Sequence, residues 1–76
     1  MKNQDLIRMA NQIADFFEAY PQPEAVAETA NHLRAFWEPR MRRQLEAFVR
    51  DGGAGLGGIA REAVISLGNE ASPTTR

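Results

Sequence analysis

Pro21 and Pro39 constrain this chain most, because they cut its first fifty positions into three short segments. Proline lacks the N–H that an interior helical turn donates, and it pushes the preceding residue toward an extended conformation. Each segment carries apolar residues at helical spacing, so three short helices are predicted. The first covers residues 4–19. Its apolar positions Leu6, Met9, Ala10, Ile13, Phe16, Phe17 and Tyr20 recur at i, i+3, i+4 and i+7. Ile7 and Ala14 widen that arc beyond what three short helices are expected to cover. Asn3 is the predicted N-cap.

The second helix is predicted over residues 23–36. Pro23 suits its first turn, and Val26, Ala30, Leu33 and Trp37 form a narrow apolar stripe. Pro39 opens the third, over residues 39–51, with Met41, Leu45, Phe48 and Val49 on its apolar face. Arg40, Arg43 and Arg50 fall roughly opposite that face on a helical wheel. Gly52 and Gly53 end the helix as a glycine cap. The run Gly52-Gly53-Ala54-Gly55-Leu56-Gly57-Gly58 reads as a flexible turn, with Leu56 tucked inward. A short fourth helix is expected over 59–67, with Ile59, Ala63 and Leu67 on one face and Ala60 and Val64 beside them. Residues 68–76 show no apolar periodicity and are expected to form a disordered tail. No stretch alternates with the period of a β-strand. The predicted fold is all-α: one helical domain over 1–67, of three main helices and a short fourth, with a core built on Phe16, Phe17, Leu33 and Phe48.

Seventy-six residues without cysteine limit how such a domain is stabilised. A domain of about 60 residues buries only roughly 60% of its unfolded surface. Disulfides are excluded, and a single histidine with no cysteine excludes the common structural zinc sites. Marginal stability, relieved by a partner, is the expectation. No apolar run reaches the ~18 residues of a membrane span, and the opening Met1-Lys2-Asn3-Gln4-Asp5 has no signal-peptide core. A cytoplasmic location follows as an expectation.

Net charge is -1, so bulk attraction to nucleic acid or anionic lipid is not expected. The charge is nevertheless segregated. Residues 1–28 set Lys2 and Arg8 against Asp5, Asp15, Glu18, Glu24 and Glu28, whereas residues 34–50 set five arginines against Glu38 and Glu46. The two halves either pack beside one another or leave the basic one free for an acidic partner.

Catalytic chemistry finds no support. Residues 53–58 match the letters of the dinucleotide fingerprint G-x-G-x-x-G, but a predicted helix, not a strand, precedes them. They also lack the Lys and Ser/Thr of a phosphate loop. His32 lies off the apolar stripe of its helix, and the serines, Ser66 and Ser72, are far from it in sequence. Glu24 and Glu28 read as solvated charge. Phe36, Trp37, Arg40, Met41, Arg42 and Arg43 cluster around Pro39, and Trp and Arg are the side chains most enriched among interface anchors. Arg34, Phe36, Trp37, Arg40, Met41 and Arg43 are therefore the candidate partner-binding residues, with Trp37 expected half-exposed at the corner between two helices. Should the arginines be only solvated charge, the interface falls on the first helix, around Met9, Ile13 and Phe16. The rival reading is a small helical nucleic-acid-binding or regulatory protein.

Three blocks carry a resemblance. Residues 7–17 (IRMANQIADFF), 32–42 (HLRAFWEPRMR) and 52–56 (GGAGL) resemble, in order and spacing, signatures of the delta subunit of NAD-dependent formate dehydrogenase. The similarity spans about Leu6 to Leu67, with one departure at Gly57-Gly58, where members often carry a polar residue and proline. The resemblance implies an accessory, non-catalytic chain of a bacterial cytoplasmic hetero-oligomer that oxidises formate to carbon dioxide with NAD. It implies binding to the large catalytic alpha subunit, in aid of assembly, cofactor insertion or stability. Molybdenum or tungsten pterin, iron–sulfur clusters, FMN and NAD are expected on other subunits, with none of them, no metal site and no catalytic residue on this chain.

Overall fold

The computed structural model describes residues 2–71. Among them are four helices and no strand: α1 (Asn3–Phe17), α2 (Gln22–Phe36), α3 (Pro39–Arg50) and α4 (Gly58–Ala71). The all-α prediction holds, and the prolines act as expected. Pro23 and Pro39 stand in the first turns of α2 and α3, where a missing N–H costs nothing. Glu38, before Pro39, is extended at φ -64° and ψ 147°.

Two local expectations fail. Asn3 is the first residue of α1, not its cap; Lys2 takes the cap position. The Asn3 side chain instead accepts a 2.9 Å hydrogen bond from Gln44 Nε2, tying α1 to α3. The fourth helix also does not stop at Leu67. Leu67 is buried, and Gly68 lies against the Glu46 side chain of α3, so the helix has a surface to follow and continues to Ala71. The rest of the expected tail, residues 72–76, lies outside the described residues.

The most extensive helix contact is between α2 and α4. Small side chains dominate the buried faces of both: Ala25, Thr29 and Ala30 on α2, Ala60 and Ala63 on α4. Small residues let backbones approach closely, and Leu6, Leu33, Leu45, Val64 and Leu67 fill the remaining core. The expected phenylalanine core is not what forms. Phe16 and Phe36 are 76% and 75% exposed, and Phe17 and Phe48 are only half-buried. The alanine side of α1, with Leu6, Ala10 and Ala14, turns inward instead. That choice leaves large apolar surface outside a small core, the reverse of the usual distribution.

Candidate partner-binding surface

Trp37 organises the corner between α2 and α3. Its N–H closes the last turn of α2 onto the Leu33 carbonyl at 3.0 Å, and its backbone then turns extended, at φ -92° and ψ 139°. The extended residue carries the indole into the molecule, where it is 7% exposed. The half-exposed corner expected for Trp37 is therefore not found. The indole joins the core and forms the inner wall of an open groove of about 470 Å³.

The rest of the groove comes from α1 and one residue of α2. Met9, Gln12, Ile13, Phe16 and Phe17 line it along α1, and His32 lines it from α2. Aromatic rings pair along its rim. Phe16 meets Phe17 edge-to-face at 5.0 Å, Phe17 meets Tyr20 at 5.9 Å, and His32 lies 4.7 Å from Phe36. Edge-to-face pairs are a favoured aromatic geometry. Met9, Ile13 and Phe16 thus become a wall whose signal was the excess width of the α1 apolar arc. Gln12, Phe17 and His32 carried no sequence signal of their own as groove residues.

The other candidate residues divide. Met41 is half-buried against the core. Arg34 is exposed and donates a hydrogen bond to Asn31 Oδ1 at 2.5 Å. Arg40 and Arg43 are exposed on one face of α3 with Arg50, as the helical wheel predicts. The ion pair seen among the described residues is Arg8–Asp5, at 3.5 Å within α1. Arg40, Arg42, Arg43 and Arg50 have no carboxylate partner among the described residues.

The glycine turn is held in place, contrary to the flexible turn expected. Gly52 and Gly53 cap α3 in a Schellman arrangement, donating to the Val49 and Phe48 carbonyls at 3.0 Å each. The Arg61 guanidinium donates to the Gly52 carbonyl at 2.5 Å and the Gly53 carbonyl at 3.3 Å. Asn11 reaches the loop from α1 through two more hydrogen bonds, to Gly55 and Gly57. A helix, α3, precedes the loop, so its fingerprint letters lack the strand that dinucleotide binding needs.

Ligands for an iron–sulfur cluster or a metal ion are not gathered among the described residues. The sequence has no cysteine for a cluster, and among the described residues no three His, Asp or Glu side chains gather where they could hold a metal ion. No described helix is long and apolar enough to cross a membrane.

The family model for the NADH-dependent formate dehydrogenase delta subunit, FdsD, matches residues 5–64. The chain belongs to this delta subunit family. No curated protein and no solved structure matches it. The matched span runs from α1 to the middle of α4 and takes in the whole groove, the α2–α3 corner and the pinned glycine loop. This member of the delta family thus combines a small-residue core, an aromatic groove and an arginine face that has no carboxylate partner among the described residues.

Proposed function

We propose that this chain is a non-catalytic accessory subunit of a cytoplasmic NAD-dependent formate dehydrogenase. In that role it binds the large catalytic alpha subunit within a hetero-oligomer and aids assembly, cofactor insertion or stability of the holoenzyme. Molybdenum or tungsten pterin, iron–sulfur clusters, FMN and NAD belong to other subunits in this reading. Family membership supports it, since the family is defined as a subunit of that dehydrogenase.

The observation that carries the reading is the inverted distribution of side chains. Alanines fill the core while Phe16 and Phe36 stand three-quarters exposed beside a groove walled by Trp37. Burying one such ring against a partner is worth about 1.5–3 kcal/mol. A domain this small cannot readily forgo that, and a bound partner restores it by mass action. Arg34, Phe36, Trp37, Arg40, Met41 and Arg43 are the proposed contact region, with Trp37 contributing as a buried wall. Nucleic-acid binding has less support, because the overall charge is -1 and the exposed rings flank an apolar groove.

Thermal melting followed by circular dichroism tests this. The chain alone should melt cooperatively at a modest temperature and rise by several degrees with equimolar alpha subunit. An unchanged melting temperature, together with separate elution of the two proteins at micromolar concentration, would refute the reading.

A further inference from the structure

Resting on that reading, we infer that the α1–α2 groove seats one amphipathic helix of the catalytic subunit, with apolar side chains in the groove and carboxylates toward Arg40 and Arg43. Met9, Ile13, Phe16 and Phe17 follow one another at i, i+4, i+7 and i+8 along α1. At 1.5 Å per residue, that wall is about 12 Å long, a little over two helical turns. A helix laid in such a groove presents anchors at i, i+3 or i+4, and i+7, which match this length. Only Gln12 and His32 interrupt the apolar lining. The occupant must therefore be apolar where it enters.

Charge defines the rest of it. The chain leaves the groove at Trp37, passes Pro39 and reaches Arg40 three residues later. Arg40 and Arg43 share an exposed face and have no carboxylate partner among the described residues. These two guanidinium groups, close to Trp37 in sequence, favour carboxylates in a ligand that extends past the α2–α3 corner. A second copy of this chain fits less well, because a two-fold contact pairs the same patch with itself and would set the arginines of one copy against those of the other. A nucleic-acid backbone would satisfy the arginines but leave the apolar groove uncovered.

Photocrosslinking in the native complex tests the occupant. A benzophenone amino acid replaces Phe16 in one tagged chain and, as a comparison, the half-exposed Ile65 of α4 in another. Each complex is irradiated after purification and the linked peptides are sequenced. The Phe16 probe should link to an alpha-subunit helix that carries apolar residues with Asp or Glu within one turn, and the Ile65 probe should not. In parallel, Phe16→Glu should lower alpha-subunit affinity at least tenfold while circular dichroism remains that of the wild type. Arg40→Glu with Arg43→Glu should also weaken binding, and should flatten its dependence on salt. Retained affinity in Phe16→Glu, or linking only through Ile65, overturns the groove assignment while leaving partner binding intact. Linking of the Phe16 probe to a second copy of the chain or to nucleic acid overturns it too. If the wild-type chain carries no alpha subunit at all, the broader reading fails and this inference falls with it.

Discussion

Asn11 donates its side-chain amide to the Gly55 carbonyl at 2.9 Å, across 44 residues of sequence. Its Oδ1 accepts from the Gly57 N–H, also at 2.9 Å. One side chain thus satisfies both a donor and an acceptor of the loop between α3 and α4 and fixes that loop to α1. It also gives a physical reason for two of the three sequence blocks to occur together, since Asn11 lies in the first and Gly55 in the third. Asn11→Leu leaves both loop groups to water and should lower stability by about 1–2 kcal/mol, toward the lower part of the range for lost hydrogen bonds because the loop reaches solvent. Asn11→Asp keeps an acceptor and should cost less. Urea unfolding of the three proteins checks the order.

The loop glycines should differ sharply in their tolerance of a methyl group. Gly53 has φ +64°, and a Cβ there would sit 3.1 Å from the Arg61 guanidinium. Gly53→Ala should therefore cost about 1–2 kcal/mol from left-handed backbone strain, with some further loss from displacing Arg61. Gly58 begins α4, lacks a positive φ and has open space, with no atom within 4 Å, where a Cβ would stand. Gly58→Ala should be neutral or stabilise by up to about 1 kcal/mol, by restricting the unfolded chain. Melting temperatures of the two variants should move in opposite directions, or only that of Gly53→Ala should fall.

Thr29 is fully buried on α2, and its hydroxyl has no hydrogen-bond partner among the described residues. An unsatisfied buried hydroxyl costs about 1–3 kcal/mol. Thr29→Val keeps the shape and removes that cost, so it should stabilise the chain by about 1 kcal/mol. Thr29→Ser keeps the hydroxyl and loses a methyl, and should destabilise it. Paired urea melts that show Thr29→Val less stable than the wild type would contradict this account of the α2–α4 contact.

Trp37 and Phe36 are neighbours in sequence with opposite environments. Trp37 is 7% exposed and Phe36 75%. Trp37→Ala should destabilise the isolated chain by about 3–5 kcal/mol, the range for emptying a large aromatic site, which is enough to unfold a domain of marginal stability. Phe36→Ala should change stability by no more than about 0.5 kcal/mol, as surface substitutions do. Circular dichroism of the free chain separates the two.

Much of the fold was legible because its boundaries rest on local chemistry. Pro23, Pro39, Gly52 and Gly53 act through backbone geometry that tertiary packing does not override, and the Val26–Trp37 stripe follows from helical spacing alone. The site was less legible, for a definite reason. The apolar arc of α1 spans about half the helical wheel at 100° per residue, and periodicity does not say which part turns inward. The alanine part did, because Ala10 and Ala14 allow close approach, and Phe16 was left outside. Trp37 misled because a residue flanking a helix end reads as exposed, whereas its extended backbone carries the ring inward. The Asn11–Gly55 bond joins positions too far apart in sequence for spacing to connect. Gly68 opens the stretch without apolar periodicity, yet it lies within α4, near the Glu46 side chain of α3.

The most direct test is affinity purification of the tagged chain from its native cells, with the formate dehydrogenase alpha subunit quantified in the eluate. The wild-type chain should bring the alpha subunit down in a fixed molar ratio that survives gel filtration. A Phe16→Ser/Phe36→Ser variant, folded as judged by circular dichroism, should recover less than about a tenth as much, in line with the loss of two interface anchors. A wild-type chain that is folded and elutes alone, with no formate dehydrogenase polypeptide at any salt concentration, would contradict the account.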